Sequence, residues 1–483
     1  MLCYRDRKRV RAKCFVDATG NSDVAAAAGA ETAFLSAREF ALQSAGQAPH
    51  RIGRGGINSD FGFVNDSSAY DLWLFGLRAR AGAPDAWDIA KMPDSRERRR
   101  IVPDYAVNAQ DVTARRPFPD VVVQARSRQD SHGYLTDDFR FLSTPSAKLY
   151  QEGERRWKYD VNVPLRSLLP KGLKGLAVIG IGSGCARDVL PMVRMQADLM
   201  NMGYAVGLAA AQAARQNGDF RKLDWTRLRA ALVKEGILRE EVLDWNEDVD
   251  ITSESLIRAA VLAVRKDFAQ SHVLYRPENR ARALPLLRRA YGAETEESAR
   301  QVYALLLGLM GDATGAATLA AVVTGKLPIS VPQSRPAAFG GGTSDLTAFM
   351  IALGRSKDES ARDPLLAKLR SVKRPLSMVG FRPYCIAAAE LGDPALAPEL
   401  ERFLDLPGVS GHAVRDWKTL SPTGGYGHGS VEYDDAVREL GIVRALVACG
   451  DPTGRGRKTL EDYVRDPRGV LSAHARAILL EIR

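Results

Sequence analysis

The segment that decides the fold class is residues 180–207, with the sequence GIGSGCARDVLPMVRMQADLMNMGYAVG. An apolar run at residues 176–179 precedes it and predicts a short buried β-strand that ends at Gly180. A loop follows, and a helix is predicted to begin near residues 192–194. That helix carries small residues that allow close packing against a sheet or a cofactor: Gly203, Gly207, Ala210, Ala211 and Ala214. The segment predicts an α/β core, and the N–H groups at the helix start suit an anionic group.

A second segment has the same order of elements. Residues 10–16, VRAKCFV, predict a β-strand, and residues 17–23, DATGNSD, predict a glycine turn at its end. The run of small residues at 24–30 then predicts a helix. A purely structural strand–loop–helix would use the same small residues, so composition alone leaves both a structural and a ligand-binding role open.

Taken together with three elements between them, these two segments resemble the FAD-dependent oxidoreductase family. Its members carry an ATG-[DN]-x-D turn, matched by residues 18–23, and a closing RMQ…GYAAG-type helix, matched by residues 194–207. The intervening matches are RRRIVPDY at 98–105, DSHGY at 130–134 and VPLRSLLPK at 163–171. Pro103 departs from the pattern, since glycine is usual there. The resemblance covers about residues 10–215.

The resemblance implies an architecture and an activity. It implies an α/β, Rossmann-type FAD-binding core from residues 1–34 and 171–220, with an α+β cap or substrate domain, residues 35–170, inserted into it. It also implies hydride transfer from an unidentified small organic substrate to the flavin of FAD. We expect residues 17–20 and 180–194 to converge, because both flank one nucleotide site in the family.

Cofactor-binding roles are carried over position by position from this resemblance. Thr19, Gly20 and Asp23 are implied to lie along the adenosine and pyrophosphate of FAD, and Gly180 to end the strand that meets the ribityl chain. The remaining implied contacts open the last helix under the pyrimidine edge or lie in the preceding loop: Arg194, Met195, Gln196 and Asp188.

Two residues are candidates for the chemistry itself. His132 is implied to approach the flavin from the cap and to accept a substrate proton as hydride leaves. A loop histidine bonded to backbone is the alternative. Arg187 is implied to hold an anionic substrate group or to stabilise reduced flavin, and a surface arginine is the alternative.

One expected element of such a flavoprotein has no match. A strand–GxGxxG–helix unit with an acidic residue about 20 positions later is typical. No such unit occurs in this sequence, and Gly180, Gly182 and Gly184 have the wrong spacing. We therefore expect an N-terminally truncated flavoprotein, or a natural pseudoenzyme, that holds FAD weakly. The alternative function is a non-enzymatic helical-repeat interaction protein with a remnant flavin domain.

The C-terminal part shows an internal repeat. After a helical connector at residues 221–275, residues 276–483 contain three Gly-Asp corners, at Gly311, Gly392 and Gly450, with a looser copy at Gly354. Glycine ends a helix in the left-handed region and aspartate caps the next helix. The intervals are near the HEAT-type period of about 40–47 residues, except for a longer last one. We expect an all-α HEAT-like repeat domain without a sheet, whose surface binds a protein partner; a generic helical bundle is the alternative.

Composition excludes several classes of protein. No apolar run approaches the ~20 residues of a membrane span, and the five cysteines lie far apart without a CxxC pair, so we expect no metal site and no membrane partner. The formal charge of +10 comes from scattered arginines, which argues against a nucleic-acid partner. The compartment remains open.

Overall fold

The computed structural model describes residues 2–3, 9–38, 45–46, 63–82, 94–126, 160–331, 345–420 and 431–482. The chain divides into two compact units. The first, unit 1, comprises Met1–Phe34, Arg98–Asp130 and Lys148–Asp250. The second, unit 2, comprises Leu35–Glu97, Ser131–Ala147 and Ile251–Arg483. The segment 35–170, predicted to be one inserted cap, is therefore divided between the two units.

The strands are short, and each pairs with one other. In chain order they are β1 Leu2–Cys3, β2 Arg9–Val10, β3 Phe15–Asp17, β4 Thr32–Ala33, β5 Ala45–Gly46, β6 Asp94–Ser95, β7 Arg100–Ile101, β8 Val121–Ala125, β9 Val161–Pro164 and β10 Leu176–Val178. The parallel pair is β3 with β10. The antiparallel pairs are β1 with β2, β4 with β7, β5 with β6, and β8 with β9.

Helices dominate the C-terminal half. Those up to residue 263 are α1 Asp23–Ala27, α2 Ala69–Gly82, α3 Ala109–Ala114, α4 Leu190–Val193, α5 Gln196–Ala213, α6 Trp225–Lys234 and α7 Glu254–Ala263. Those that follow are α8 Ser271–Leu274, α9 Arg280–Ala293, α10 Glu297–Leu309, α11 Ala316–Val323, α12 Asp345–Ser356, α13 Arg362–Ser371, α14 Met378–Leu391, α15 Ala397–Leu404, α16 Val431–Ala448, α17 Arg455–Val464 and α18 Gly469–Glu481. Within the described residues, no helix is long and apolar enough to cross a membrane.

Unit 1 is built around the β3–β10 pair. The buried strand predicted at 176–179 is confirmed as β10, and its residues Leu176 to Val178 align in register with Phe15 to Asp17 of β3. The strand predicted over residues 10–16 is wrong in extent, because residues 11–14 separate β2 from β3. Within this interruption the backbone packs closely against Gly218, which has φ of 77°: a Cβ there would lie 1.9 Å from the carbonyl oxygen of Lys13.

The helix predicted near residues 192–194 is interrupted. The short α4 ends at Val193, Met195 is extended, and α5 begins only at Gln196. Of the small residues singled out on this helix, Gly207 and Ala211 are exposed, whereas Gly203, Ala210 and Ala214 are half-buried. Other side chains of α5 face the core instead: Asp198, Met202, Ala205, Val206, Ala209 and Ala213.

In unit 2 the helices from α10 onward pack in two successive rows. Helix α10 contacts α12, α12 contacts α14, and α14 contacts α16, while α11, α13 and α15 contact one another in the same order. Among the described residues from 254 to 482, the secondary structure is helical, without a strand. The C-terminal part is therefore largely helical, as predicted.

The corners between successive helices share one backbone arrangement, a left-handed residue followed by a capping aspartate. Gly311 and Gly392 have φ of 72° and 67°, and the aspartate after each accepts a backbone N–H two residues later, from Thr314 and from Ala395. The looser corner predicted at Gly354 is wrong, because Gly354 lies inside α12. The corner is one turn later, where Lys357 has φ of 55° and Asp358 accepts the N–H of Ser360.

A buried carboxylate joins α2 to α18 within unit 2. The side chain of Asp71 is almost fully buried, and its two oxygens accept the N–H groups of Asn65 at 2.7 Å and of Gly469 at 3.0 Å. Burial, partly opposed by these two hydrogen bonds, raises the pKa of Asp71 to about 6. The ionised form is thus less favourable in the folded protein than in the unfolded chain.

This raised pKa predicts a pH dependence of stability. The contribution of the protonated Asp71 carboxyl to the free energy of unfolding is fully present below the ordinary pKa of about 4. It is lost as pH rises through about 6. Relative to Asp71→Asn, the wild type should lose about 2 kcal/mol of unfolding free energy between pH 4 and pH 7. Urea unfolding at several pH values measures this difference. Asp224→Asn, at the exposed N-cap of α6, controls for loss of a surface capping carboxylate. Parallel wild-type and Asp71→Asn curves would contradict the prediction.

Candidate functional site

The carboxyl ends of the parallel strands β3 and β10 lie side by side in unit 1, and the space beyond them, at Gly20 and Gly180, is called the crevice below. Gly20 follows β3 and Gly180 follows β10, with φ of 76° and 87°, which glycine adopts without strain. A Cβ on Gly180 would lie 3.9 Å from Cα of Gly20. The predicted convergence of residues 17–20 with residues 180–194 is confirmed at these glycines. The crevice outside the carboxyl ends of parallel strands is where α/β sheets bind ligands.

Asp17 holds the turn after β3 in shape. Its buried carboxylate accepts the N–H of Thr19 at 2.9 Å, the hydroxyl of Thr19 at 2.7 Å and the N–H of Ala25 at 2.8 Å. Thr19 Oγ1 in turn accepts the N–H of Asp23 at 2.9 Å. The hydroxyl of Thr19, a predicted cofactor ligand, therefore makes its hydrogen bonds within the turn. Gly20 lies at the corner of that turn.

Arginines 98–100 connect this turn to the neighbouring loops. Arg99 donates through its backbone N–H to Oδ1 of Asn21 at 3.0 Å and through Nη2 to Asp23 at 2.5 Å. Arg100 donates to the carbonyl of Cys185 at 3.2 Å. Nη1 of Arg98 lies 2.6 Å from where a Cβ on Gly20 would be. The densest basic cluster of the sequence thus lies against the predicted cofactor turn.

The loop after Gly180 is packed against the same elements. Ser22 donates its hydroxyl to the carbonyl of Gly182 at 2.8 Å. A Cβ on Gly184 would lie 2.3 Å from Cγ of Pro103, so Gly184 provides the space that Pro103 occupies. Burial raises the pKa of the adjacent Cys185 thiol to about 11, which keeps it protonated at neutral pH.

Arg187 and Asp188 are both buried in this loop. Arg187 is only 3% exposed and donates Nη2 to the carbonyl of Phe34 at 2.9 Å. The alternative of a surface arginine is therefore wrong. The catalytic role of Arg187 and the cofactor contact of Asp188 stay predictions.

The start of α5 is open at its N-terminus. Met195 is the N-cap, makes no side-chain capping bond, and is 37% exposed; Gln196 is exposed and Arg194 half-buried. The N–H groups of the first helical turn have no intrahelical acceptor. His132, with the whole of residues 127–159, lies outside the described residues.

The VPLRSLLPK motif forms a separate charge cluster. Arg166 pairs with Asp120 at 2.9 Å and with Asp248 at 2.7 Å, beside Trp225 in a cavity of about 330 Å³. Burial raises the pKa of Asp120, against the opposing effect of the Arg166 charge. These charges compensate one another and account for the arginine of the motif. In the part of the chain that the structure describes, no group of three acidic, histidine or cysteine side chains has the arrangement of a metal site.

Two residues of the crevice were not predicted as site residues. Asp17 belongs to the quoted DATGNSD turn, and Arg98 to the RRRIVPDY motif, but neither motif indicates that Asp17 fixes the turn or that Arg98 lies against Gly20. A pairing between segments about eighty residues apart has no local sequence signal. The resemblance of both segments to one family is the only clue that linked them.

Residues 67–232 match the model of a protein family described as FAD dependent oxidoreductase. The matched segment contains the motifs at 98–105, 130–134, 163–171 and 180–207, and it begins after the turn at 17–23. No curated protein and no solved structure matches the chain.

Proposed function

We propose that the chain is an FAD-dependent oxidoreductase that binds FAD in the crevice between Gly20 and Gly180 and transfers hydride from a small organic substrate to the flavin. The observation that carries the proposal is the juxtaposition of two positive-φ glycines at the ends of parallel strands, 160 positions apart in the sequence. The match of residues 67–232 to the family supports it independently.

The residues of the crevice fit such a cofactor. Among the residues that the structure describes, the Cα of Gly20 is the one atom within 4 Å of a Cβ position on Gly180, which leaves room for a ligand to approach the backbone there. The uncapped start of α5 supplies N–H donors and the positive end of a helix dipole. Such a helix end stabilises a group that gains negative charge, as the pyrimidine edge of a flavin does when reduced.

Bound FAD would supply the hydride acceptor for the reaction. The chain's own residues would orient it and stabilise charge. Gly20 and Gly180 would permit the close approach, and Arg194, Met195 and Gln196 would position the helix start. Arg187, with a guanidinium held by the Phe34 carbonyl, would stabilise negative charge beside it. His132 is proposed as the base that accepts the substrate proton.

We further propose that residues 276–483 form a HEAT-like repeat that binds a protein partner. The two successive rows of helices and the repeated corners at Gly311, Lys357 and Gly392 support this assignment. Each helix pair buries its apolar face against its neighbours, which is the stabilising principle of such repeats.

Equilibrium titration tests the flavin proposal. Adding the full chain to FAD should change flavin fluorescence in a saturable way, with one FAD bound per chain. Equilibrium conditions matter because we expect weak binding that desalting would remove. A signal that rises linearly without saturation, or equal changes with free tryptophan, would contradict FAD binding. Once the chain is saturated, anaerobic loss of the oxidised flavin band on adding candidate substrates reports hydride transfer.

A further inference from the structure

We infer that an exposed cluster of aromatic side chains in unit 2 binds a proline-rich segment of a partner protein in the polyproline II conformation. The cluster, called the aromatic surface below, comprises Tyr70 and Trp73 of α2 and Trp417 of the segment 405–420 that follows α15. The inference rests on the partner-binding role proposed for the helical repeat, whose partner it names by class, and it is independent of the flavin site. Contiguous exposed apolar surface marks interaction sites, whereas single exposed apolar residues are ordinary.

The three rings of the aromatic surface contact one another and remain open to solvent. The ring centroid of Trp73 lies 6.4 Å from that of Tyr70, with the planes inclined by 38°, and 6.3 Å from that of Trp417, with the planes inclined by 65°. Tyr70, Trp73 and Trp417 are 49%, 55% and 37% exposed. Inclined, exposed aromatic rings are the feature with which peptide-recognition domains hold the pyrrolidine rings of a polyproline helix.

The hydrogen-bonding groups of the aromatic surface suit a chain of prolines. The indole N–H groups of Trp73 and Trp417 can only donate. Within the described residues, neither these N–H groups nor the Tyr70 hydroxyl makes a hydrogen bond to another part of the protein. Proline has a carbonyl acceptor and no backbone N–H, and the carbonyls of a polyproline helix are free of internal hydrogen bonds. Such a helix can therefore accept from the indoles and brings no donor that needs a partner.

The carboxylates adjacent to these rings in the sequence already accept hydrogen bonds from the protein. Asp71 is buried and accepts the N–H groups of Asn65 and Gly469. Asp416 accepts the N–H of Lys418. Saccharide hydroxyls and the N–H groups of an ordinary peptide are donors that need acceptors. The engagement of both carboxylates therefore favours a proline-rich ligand over these two classes.

The charges around the third ring compensate one another. Arg415, two positions before Trp417, pairs with Asp462. Asp416 and Lys418, which flank the ring in the sequence, are exposed and of opposite charge. An uncharged segment fits such a surface better than an acidic or a basic one.

Helix α2, which carries two of the rings, is fixed to α16 and α18. The buried carboxylate of Asp71 accepts the N–H of Gly469 at the start of α18 at 3.0 Å. The guanidinium of Arg78 lies 5.8 Å from the ring centroid of Tyr433 in α16, and both side chains are buried. These contacts hold α2 in place independently of a ligand.

The segment that carries the third ring is held by carboxylates of the same region. Glu439 of α16 accepts the N–H groups of Gly411 at 2.8 Å and of His412 at 2.9 Å. Asp466, between α17 and α18, accepts the N–H of Val414 at 2.9 Å. Both carboxylate side chains are buried. Because both ring-bearing elements are fixed in advance, a ligand would bind with little loss of conformational entropy in the protein.

Isothermal titration of the full chain with an acetylated decaproline peptide tests the inference. The wild type should bind this peptide saturably and should bind neither a glycine–serine decapeptide nor maltohexaose. Trp73→Ala and Trp417→Ala should each weaken decaproline binding by about tenfold or more, as truncation of an anchoring tryptophan does at other interfaces. Trp73→Phe should bind more tightly than Trp73→Ala, because it keeps an aromatic ring and loses the indole N–H.

Leu262→Ala is the matched control for these substitutions. Leu262 is a 71% exposed apolar residue of α7, which also belongs to unit 2 and lies outside the aromatic surface. This variant should bind decaproline like the wild type. Circular dichroism of each variant reports whether the fold is retained, and Trp73→Ala should keep the FAD affinity of the wild type.

The outcomes distinguish this inference from the proposed functions. Decaproline binding that survives both tryptophan substitutions would overturn the aromatic surface, although a protein partner elsewhere on the helical repeat would remain supported. A wild type that binds no decaproline would overturn the inference and leave the flavin proposal standing, because FAD titration tests that proposal separately. Equal affinity for the glycine–serine peptide, or binding of maltohexaose in place of decaproline, would contradict recognition of a polyproline helix.

Discussion

Gly354→Ala is expected to lower the free energy of unfolding by about 2–3 kcal/mol, as overpacked cores do. Gly354 lies within α12, and a Cβ there would be 2.2 Å from the carbonyl oxygen of Ala387 in α14. Backbone atoms cannot rotate away as a side chain can, so the two helices would have to separate. Gly308 of α10 makes a similar approach to the Ala352 carbonyl of α12. Close backbone contact is therefore repeated along this row of helices.

Gly441→Ala is the matched control for this substitution. Gly441 also lies within a helix of the same row, α16, but a Cβ there would meet no atom of the described residues within 4 Å. Alanine should stabilise that helix by about 0.5–1 kcal/mol, because glycine loses more conformational entropy on folding. Urea unfolding followed by circular dichroism compares the two variants. If both glycines tolerate alanine equally, the close packing of α12 on α14 is contradicted.

Gly180→Ala is expected to weaken FAD binding by about tenfold or more. The added methyl group would occupy the crevice between the strand ends and exclude ligand atoms from contact with the backbone. It would also strain the chain, because Gly180 has φ of 87°. Adopting this left-handed conformation costs a non-glycine residue about 1–2 kcal/mol.

Gly29 separates the two effects of that substitution. It has the same φ of 87°, but in the part of the chain that the structure describes no atom lies within 4 Å of a Cβ there, and the residue is exposed. Gly29→Ala should therefore lose about the same stability as Gly180→Ala and keep full FAD affinity. Titration of both variants with FAD, beside their thermal unfolding, gives the comparison. Equal FAD affinities for the two variants would show that Gly180 does not line the cofactor site.

Features with a local signal were predicted well from the sequence. The buried strand β10 is a short apolar run ended by glycine, and the corners at Gly311 and Gly392 combine a left-handed residue with a capping aspartate. These patterns depend on the conformational preferences of a few adjacent residues. The convergence of Gly20 and Gly180 was also predicted, but only through resemblance to a family.

Features that depend on distant contacts or unusual residues were missed. Lys357 takes the left-handed corner position that glycine normally holds, so the sequence pointed to Gly354 instead. The break at Met195 between α4 and α5 follows no proline or glycine. The hydrogen bond from the Gly469 N–H to Asp71 joins residues nearly four hundred positions apart, and no periodicity in the sequence predicts such a contact. These choices are set by tertiary packing rather than by local propensity.

Hydrogen exchange of the full chain with and without excess FAD tests the central claim most directly, because it reports where the cofactor binds. FAD should slow exchange of backbone N–H groups in residues 17–23, 98–101, 179–184 and 194–198, which are the segments at the crevice or proposed to contact the cofactor. Exchange in the helical rows of residues 297–331, 345–404 and 431–482 should stay unchanged. Protection confined to those helices, or none at saturating FAD, would contradict a flavin site between Gly20 and Gly180.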